Sequence, residues 1–552
     1  DFFGTMSLFP SSQTRSLFLA LFVGFLFVGV WLPSATMGVF ASPDETAVAA
    51  IVKTILKTGQ ASIPEAFALQ VPWLHPRSWV SAGPNLVPVG FLGWPIVLVP
   101  FVFLFGNALL PWVGLFLIAS AMYPVFRLFA LRFGCAPALM GTALLFFFPT
   151  VLLYANRGLF ANAPQLALFA WWLFWTRKTE TGEKRPSSHK VITRSFLIGL
   201  LTLAVILMRP VEGLWLLPWM FWWGRKREWT RVELVTGMIG MVPLVTLYFL
   251  IVSRTYGDPL AIGYLLRDNP LPTLEGIGVQ APGLSSVTRS WAELLPYGFH
   301  PRHIWWNLRS FTQELLWPWC LGLLVIWIPL FYAAWRSFRT HGLKEIKNVP
   351  FKNLWSGPLF LSLWTAVFLF SVYGSGLYAD HIKPGAVTIG NSFLRYLLPL
   401  LPLGIYFFLK GIEKNVFSVK ATRFSYGVAI LLCLCGLFTV FAKDDEGLLA
   451  TRRELRRYAS IRAAAMELLP PDTVILSERS DKIFFPVFRT VSPLPSVSER
   501  VRLTQTPDTS VALFARPLSQ AERDAWRAAG VVPQELESFG RERLYHLLPL
   551  SR

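Results

Sequence analysis

The stretch LFLALFVGFLFVGVWLPSATMGVF, residues 17–40, carries no charged side chain from its first residue to its last. At about 1.5 Å of rise per residue, a helix of this length can cross a hydrocarbon core of roughly 30 Å. Val39, Phe40 and Ala41 weakly resemble a cleavage site for a signal peptidase. Because the stretch is longer than the apolar region of an ordinary signal sequence, we expect a retained helix.

Apolar segments of similar length recur along the whole chain. Hydrophobic residues make up 54% of the 552 residues, too large a share for a soluble protein of this size. Separate segments inside a bilayer must be helices, because only a helix satisfies its own backbone. The predicted fold class is therefore an all-α polytopic membrane protein. The further segments are 108–126, 135–153, 191–208, 234–253, 356–373, 392–409 and 424–442.

The basic residues lie mainly in short loops between the apolar segments. A formal net charge of +19 is common among nucleic-acid-binding proteins, but those place their charge in a stripe with interleaved aromatic residues. Charge in short loops is instead typical of the cytoplasmic side of a membrane protein, so no nucleic-acid partner is predicted. The cysteines all lie in apolar segments, and they are interpreted as packing residues rather than as disulfide or zinc ligands. They are Cys135, Cys320, Cys433 and Cys435.

Loop charges also predict the orientation. The clearest cytoplasmic loop is 177–190, with five basic residues. Counting from it gives about eleven crossings, with the amino terminus inside and the carboxyl terminus outside. This count treats 87–106 as an interfacial or re-entrant element, because its prolines break helical hydrogen bonding, and 108–126 as the span. The predicted non-cytoplasmic segments are 154–164, 209–213, 254–310, 374–391 and everything after about residue 443.

These assignments divide the chain into a membrane domain, residues 1–442, and a small outer α/β domain, residues 443–552. The membrane domain carries two large outer loops, 41–86 and 254–310. The first loop opens with a helical run that Gly59 ends, and we expect this run to lie along the membrane surface. In the outer domain we predict a strand at 473–476, a helix at 519–529 and a closing strand at 544–548.

An acidic pair, Asp44 and Glu45, is the leading candidate for chemistry. Adjacent carboxylates just beyond a membrane helix can activate a hydroxyl or hold a cation. A structural interpretation competes with this one, because Ser42 and Glu45 have the spacing of a capping box and Pro43 fits the first helical position. That interpretation accounts well for Glu45 and less well for Asp44.

Several short motifs follow the acidic pair in a recognisable order. They are PDE at 43–45, a proline-punctuated apolar stretch from PNLVPVGF at 84–91 to FG at 105–106, LMRP at 207–210, YGDPL at 256–260 with GY at 263–264, and RYLLPLLP at 395–402. In order and placement the chain resembles the GT-C glycosyltransferases that use polyprenyl-phosphate sugars, the group that includes protein O-mannosyltransferases and the lipid A aminoarabinose transferase. The resemblance covers about residues 15–410.

The resemblance implies a GT-C-like fold and a reaction. A sugar would move, with inversion, from a polyprenyl-phosphate carrier to a nucleophile on a lipid, glycan or protein acceptor, at the outer face of what would be a bacterial inner membrane. Asp44 would be the base, with Glu45 beside it, where the outer loops meet the bilayer. Phosphate is a good leaving group, because its second pKa is about 6. One carboxylate base, with arginine side chains to bind the departing phosphate, can therefore suffice for the reaction. Whether a divalent cation takes part is left open.

Ten residues are candidates for substrate binding. The family often has an acid in its second outer loop, and Asn162, which cannot act as a base, stands there instead. Simpler roles compete with substrate binding. Arg157 can extend to lipid headgroups, and Arg209 can pair with Glu212. The motif at 256–260, which contains Tyr256, also has the residues of an ordinary turn. The two neighbouring histidines have a poor spacing for a metal site. The candidates are Arg157, Asn162, Arg209, Tyr256, Tyr264, Arg267, His300, Arg302, Arg395 and Tyr396.

Two other functions compete with the transferase. A transporter or flippase for a lipid-linked saccharide would show internal repeats and charged residues near the middle of several helices. The charges here cluster at helix ends instead. A non-catalytic membrane scaffold is opposed only by the Asp44 and Arg395 motifs.

Overall fold

The structure is a computed structural model that describes most of the chain. Helices dominate it, and a small region of mixed helix and strand follows the last long apolar helix. The predicted fold class, an all-α polytopic membrane protein with a small C-terminal α/β domain, is confirmed. The described residues are 11–71, 73–176, 188–225, 229–261, 263, 297–327, 357–378, 386–415, 419–443, 446–507 and 509–550.

Within these residues, five helices are long and apolar enough to cross a membrane. A bent pair, Cys135–Phe146 and Pro149–Asn156, turns by 61° and adds a sixth if the two form one broken span. The total of about eleven crossings that the loop charges gave stays a prediction. The five helices are Ser12–Ala35, Asn107–Phe133, Ser188–Met208, Arg231–Tyr256 and Arg423–Ala442.

The proline-punctuated stretch forms a helix that is short for a full span. Gly93–Phe105 has 13 residues and contains Pro100. At 1.5 Å per residue its length is about 20 Å, against roughly 30 Å of hydrocarbon core. The following segment, Asn107–Phe133, has 27 residues and is long enough. Both lengths agree with the prediction that 108–126 crosses the membrane and that 87–106 does not.

The chain folds into two compact units. The first contains Asp1–Trp31, Trp112–Leu244 and Leu271–Ala450, and the second contains Leu32–Pro111, Val245–Pro270 and Thr451–Arg552. The second unit therefore groups the first outer loop with the C-terminal segment, although the two are far apart in the sequence.

The first unit is helical throughout its described residues. Its helices pack closely where small residues meet: a side chain at Gly199 would collide with the backbone of Gly237, so only glycine allows this approach. Its helices are Ser12–Gly29, Met122–Phe133, Cys135–Phe146, Pro149–Asn156, Asn162–Thr176, Ser188–Met208, Gly213–Arg225, Pro301–Phe311, Gly357–Tyr373, Ser392–Tyr396, Leu401–Asn415 and Val419–Ala442, with Leu110–Ser120 and Arg231–Tyr256 crossing its boundary.

The second unit contains two sheets. Three antiparallel strands of the outer loop form the first, in the order β1-β3-β2. The second has the order β5-β4-β6-β8-β7, in which β4 is parallel to β5 and β6 while β8 is antiparallel to its neighbours β6 and β7. The strands are β1 Ile63–Pro64, β2 Trp79–Ala82, β3 Asn85–Pro88, β4 Val474–Ser477, β5 Arg489–Val491, β6 Val511–Ala515, β7 Val531–Phe539 and β8 Glu542–Pro549.

The helices of the second unit agree with the sequence where it gave clear signals. The helix Gln520–Ala528 begins with a capping box between Ser519 and Glu522. The predicted strands at 473–476 and 544–548 are β4, which is fully buried, and part of β8. The other helices of this unit are Pro43–Thr58, Gly93–Phe105, Leu448–Leu468, Asp481–Phe484 and Val497–Thr504.

The helix Pro43–Thr58 opens the first outer loop as expected. Ser42 caps its first turn, and Gly59 ends it in the left-handed conformation, at a φ of 74° that favours glycine. The sequence places Ala47, Val48, Ile51 and Ile55 on one apolar face, and all of these but Val48 are buried. Eight of its sixteen residues are buried, on several sides of the helix, and its position along the membrane surface stays a prediction.

The rest of the first outer loop packs into the C-terminal domain. Val71 and Leu74 belong to one buried core with Val474, Leu476 and Trp526 of that domain. The ring of Trp79 lies 5.4 Å from that of Phe485. These contacts bury apolar side chains from both segments, so we infer that outer loop and C-terminal domain fold as one body.

Candidate active site

The acidic pair splits into one exposed and one buried carboxylate. Asp44 lies in the first turn of Pro43–Thr58 and is exposed, whereas Glu45 is buried. The Ser42 hydroxyl accepts a hydrogen bond from the amide of Asp44 at 3.2 Å. In a capping box it would accept from the amide of Glu45 instead. Ser42 therefore caps the helix, but its hydroxyl bonds the amide of Asp44 and not that of Glu45, as the predicted capping box would require.

Asp44 also receives a hydrogen bond from outside its own helix. The hydroxyl of Ser78 donates to Asp44 Oδ1 at 2.7 Å. Ser78 has a φ of 67°, a left-handed conformation that costs a non-glycine residue on the order of 1 kcal/mol. Its carbonyl accepts from the amide of Val89 at 3.0 Å. A residue in an unfavourable backbone conformation thus supplies the hydroxyl that orients the Asp44 carboxylate.

The residue before Ser78 is anchored to the C-terminal domain. The backbone amide of Arg77 donates to Asp481 Oδ2 at 2.9 Å, and its guanidinium donates to Asp481 Oδ1 from Nε at 2.9 Å and from Nη2 at 2.6 Å. The same guanidinium also donates to the carbonyl of Arg479. Asp481 is almost fully buried. We call Asp44, Ser78, Arg77 and Asp481 together the acidic centre.

The segment that leads into Asp44 is held by the same domain. Arg462 donates to the carbonyls of Met37 at 2.8 Å and Gly38 at 3.0 Å, and Lys482 donates to that of Ala41 at 2.7 Å. Met37, like Ser78, is a non-glycine residue with positive φ, here 42°. Contacts from the C-terminal domain therefore fix the chain before Asp44 as well as its hydroxyl partner.

Lys482 also faces an aromatic ring. Its ammonium lies 4.8 Å from the centroid of Tyr458. Burial, with Glu454 nearby, raises the pKa of Tyr458 to about 12. The phenol is therefore neutral at ordinary pH, and its ring offers Lys482 a cation–π contact rather than an ion pair.

Three of the five candidates in the second large outer loop, Tyr256, His300 and Arg302, lie among the described residues. The hydroxyl of Tyr256 donates to the carbonyl of Pro88 at 2.8 Å, so Tyr256 joins two segments of the second unit. Asp258 accepts from the amide of Leu260 at 2.9 Å, which is the turn geometry that the sequence allowed. Tyr264 and Arg267 lie outside the described residues.

Arg209 in the first unit takes part in a compact buried network. Its Nε lies 3.4 Å from Glu212 Oε1, and its Nη2 donates to the hydroxyl of Tyr373 at 3.1 Å. Glu212 in turn accepts from that hydroxyl at 3.1 Å and from the indole N–H of Trp215 at 2.5 Å. The pairing of Arg209 with Glu212, left open by the sequence, is thus present.

Arg395 lies close to the same network. Its Nη2 donates to Ser392 Oγ at 2.7 Å and contacts Tyr396 OH at 3.2 Å. Its guanidinium carbon is 4.4 Å from the ring centroid of Phe160 and 5.0 Å from that of Tyr396. Arg209 approaches the Tyr396 ring as well, at 4.5 Å. One tyrosine ring therefore contacts two buried guanidinium groups.

The second predicted outer loop contributes a third guanidinium. Arg157 lies 4.8 Å from the centroid of Phe160, the ring that Arg395 also contacts. Gly158 beside it packs against the backbone of Gly114, where a side chain would collide. Asn162 is buried as the first residue of its helix. We call Arg157, Arg209 and Arg395, with Phe160, Tyr373 and Tyr396, the arginine cluster.

The two histidines position a helix. His300 donates its backbone N–H to Ser375 Oγ at 2.9 Å, and His303 Nδ1 lies 3.2 Å from the carbonyl of Ser375. Asn307 donates to the carbonyls of Gly374 and Gly376, both at 2.9 Å. These contacts attach Pro301–Phe311 to the loop after residue 373. Arg302 is exposed on this helix.

No group of three or more histidine, cysteine or acidic side chains with metal-binding geometry occurs among the described residues. Several residues of both regions were not predicted from the sequence: Arg77, Ser78, Asp481, Phe160 and Tyr373. Ser78 and Asp481 belong to no motif, and only their contacts in the folded chain reveal them.

Comparison with known proteins gives a match at the level of structure. No family model and no curated protein matches the sequence. ArnT from Cupriavidus metallidurans in the apo state matches with a TM-score of 0.55 at 13% identity, covering 97% of this chain and 98% of that chain. ArnT from the same organism bound to undecaprenyl phosphate has a TM-score of 0.49 at 13% identity, covering 96% and 97%. The chain therefore has the fold of ArnT, a lipid A aminoarabinose transferase of the GT-C type, and the resemblance read from its sequence is confirmed for the fold.

Proposed function

We propose that the protein is a membrane glycosyltransferase that moves a sugar from a polyprenyl-phosphate carrier to an acceptor nucleophile on the non-cytoplasmic face. The observation that carries the proposal is the exposed Asp44 carboxylate, oriented by Ser78, in a chain whose fold is that of ArnT over nearly its full length. The motif order that resembles polyprenyl-phosphate-dependent transferases supports the same reaction class.

The proposed reaction needs one base and a site for an anion. Asp44 takes the proton from the acceptor as the acceptor atom attacks the anomeric carbon. The bond from that carbon to the phosphate oxygen breaks, and the polyprenyl phosphate leaves with the electron pair. Attack opposite the leaving group inverts the anomeric centre. The phosphate needs no general acid, because its second pKa is about 6.

Asp44 suits the role of base better than its neighbour does. A base must reach both the acceptor and water, and Asp44 is exposed whereas Glu45 is buried. The hydrogen bond from Ser78 fixes the direction of the exposed carboxylate, and a general base must be held within hydrogen-bond reach of the proton that it takes. We therefore assign the catalytic role to Asp44 and a structural role to Glu45.

The arginine cluster suits the role of phosphate site. Guanidinium groups bind phosphate in a bidentate manner, and aromatic rings on their faces hold them in a fixed orientation. Arg395 has such rings at 4.4 and 5.0 Å. Two guanidinium groups on one tyrosine ring also repel each other, which favours binding of an anion beside them. We assign the main contact with phosphate to Arg395, because its guanidinium contacts two aromatic rings, those of Phe160 and Tyr396.

Asp44 and Arg395 belong to different compact units. The role of each therefore rests on the contacts that it makes within its own unit. Of the other binding candidates, Arg157, Asn162 and Tyr256 are assigned to the surroundings of donor and acceptor. We place the C-terminal domain on the non-cytoplasmic side, from the loop charges. A cysteine in place of the exposed Ala528 should react with an impermeant maleimide added outside the membrane. Reaction only after permeabilisation would contradict this orientation.

The function itself is tested by following the sugar. Purified protein in vesicles receives labelled polyprenyl-phosphate sugar, extracted from membranes of the source, together with an extract of envelope acceptors. We expect label to become covalently attached to an acceptor as free polyprenyl phosphate appears. A protein that moves intact donor across the vesicle membrane, without releasing polyprenyl phosphate, would be a transporter, and the proposal would be wrong.

A further inference from the structure

The C-terminal domain contacts the chain on both sides of Asp44. Before Asp44, Arg462 and Lys482 hold the carbonyls of residues 37, 38 and 41. Opposite Asp44, Asp481 holds Arg77 through three hydrogen bonds, and Arg77 is bonded covalently to Ser78. Each of these contacts fixes a segment that determines where the Asp44 carboxylate lies.

We propose that Asp481 is a positioning residue for the candidate base, acting through Arg77 and Ser78 on the Asp44 carboxylate. The C-terminal domain thus affects turnover through these contacts. This inference rests on the proposed role of Asp44 as the base.

The backbone conformation of Ser78 explains why an anchor is needed. At a φ of 67° a serine is less stable than in an extended conformation, so the free loop would tend to relax and turn the hydroxyl away. The backbone amide of Arg77 binds Asp481, and the carbonyl of Ser78 binds Val89. The peptide groups on both sides of Ser78 are therefore held, and its hydroxyl stays directed at Asp44.

The burial of Asp481 makes the anchor specific. Its side chain is 1% exposed, and Arg77 supplies its charge partner. A buried carboxylate with a single ionic partner and several donors has few alternative geometries. A shift of Arg77 would leave Asp481 unsatisfied, so the two residues move together or not at all.

The chain offers a matched control for this anchor. Arg489 in β5 pairs with Glu65 of the outer loop at 3.1 Å. This pair also joins the C-terminal domain to the outer loop, but neither residue contacts Asp44 or Ser78 in the structure. A general loss of docking would therefore appear in both pairs, whereas loss of positioning would appear only in the pair at Arg77.

The experiment compares full-length variants in vesicles. Ser78→Ala removes only the hydroxyl, Asp481→Asn removes the charge that holds Arg77, and Arg489→Gln is the control. Each variant is assayed for single-turnover sugar transfer, for donor KM and for unfolding temperature. Hydrogen exchange of the peptide that contains residues 74–80 reports the anchor without depending on activity.

Positioning predicts a specific pattern. Ser78→Ala and Asp481→Asn each lower turnover about ten-fold or more, the effect of losing a hydrogen bond to a charged group, with donor KM little changed. The double variant Ser78→Ala with Asp481→Asn falls no further than Ser78→Ala alone, because both changes remove one contact. Exchange at 74–80 rises in Asp481→Asn. Arg489→Gln keeps wild-type turnover.

Other outcomes overturn the inference. Wild-type turnover in Ser78→Ala shows that the hydroxyl does not orient the base. Equal losses in Asp481→Asn and Arg489→Gln show general docking instead of positioning. If Asp481→Asn does not fold, Arg77→Lys, which keeps charge and backbone amide but lacks the bidentate fork, takes its place. The proposed function fails separately: if Asp44→Asn transfers sugar normally, Asp44 is not the base, whatever the anchor variants show.

Discussion

The acidic centre and the arginine cluster hold their charges in different ways. Asp44 is exposed, and its carboxylate is oriented by a neutral hydroxyl. Arg209 and Arg395 are largely shielded from solvent among aromatic rings, and one of them is paired with the buried Glu212. The first arrangement allows a charge to change during a reaction. The second keeps its charges fixed.

This difference separates the expected effects of substitution. An exposed group that exchanges a proton contributes little to folding, so its loss should appear in turnover. A buried charge with a carboxylate partner contributes to folding and to anion binding together, because removing one partner leaves the other unpaired in a medium of low polarity. Stability and activity should therefore change independently at Asp44 and jointly at the cluster.

The largest effect on stability is expected at Glu212. Glu212→Gln removes the negative charge beside Arg209 while keeping an acceptor for Tyr373. An uncompensated buried guanidinium should lower the free energy of unfolding by about 3 kcal/mol or more. The measurement is thermal unfolding of purified protein in detergent.

An exposed ion pair in the same unit provides the control. Arg132 and Glu413 are 2.7 Å apart, with side chains 48% and 39% exposed. Glu413→Gln should cost about 1 kcal/mol or less, because water screens this pair. Equal losses in the two variants would mean that burial does not distinguish the cluster.

The next largest effect is expected on the use of the donor, in variants of Arg395. Arg395→Ala should lower kcat/KM for the polyprenyl-phosphate sugar by about 10²-fold, mainly through KM, the effect of losing a charge-assisted contact with phosphate. Arg395→Lys should recover part of this loss, because lysine keeps the charge but lacks the bidentate fork. Donor titration in vesicles measures both. A lysine variant with full donor affinity would contradict a bidentate contact.

The smallest effect is expected at Glu45. Glu45→Gln keeps the size and the acceptor oxygen of the side chain, so turnover should stay within a few-fold of the wild type. Transfer is measured under the same conditions as for the other variants. A fall as large as that expected for Asp44 would move the catalytic role to the buried carboxylate.

Local patterns in the sequence correctly predicted those elements whose causes are local. Ser42 and Gly59 bound the helix Pro43–Thr58, and Ser519 with Glu522 begins the helix Gln520–Ala528. Such signals act over a few residues, and so they can be read without knowledge of the fold. The strand β4 was predicted at 473–476, one residue from its observed position, for the same reason.

The acidic centre depends on contacts that no local pattern contains. Arg77 and Asp481 are 404 positions apart, and Ser78 and Asp44 are 34 apart. Ser78 has a left-handed backbone conformation, which composition does not predict for a serine. The sequence therefore identified the catalytic candidate, whereas its orienting partners required the tertiary structure.

The arginine cluster was predicted in part. The motifs at 207–210 and 395–402 singled out Arg209, Arg395 and Tyr396. Phe160 and Tyr373 were missed, because aromatic residues are common in apolar helices and carry no signal of their own there. Contact with guanidinium groups distinguishes these rings from ordinary packing: Phe160 contacts Arg157 and Arg395, and Tyr373 contacts Arg209.

The most direct test of the account separates turnover from donor binding in Asp44→Asn. Asparagine has nearly the same shape as aspartate and can still accept the hydrogen bond from Ser78, but it does not take a proton at neutral pH. Donor affinity and single-turnover transfer are measured on the same preparation, beside the wild type and Glu45→Gln. We expect wild-type donor affinity and unfolding temperature, with turnover lower by about 10²-fold or more. Near-wild-type transfer by Asp44→Asn would contradict the assignment of Asp44 as the base.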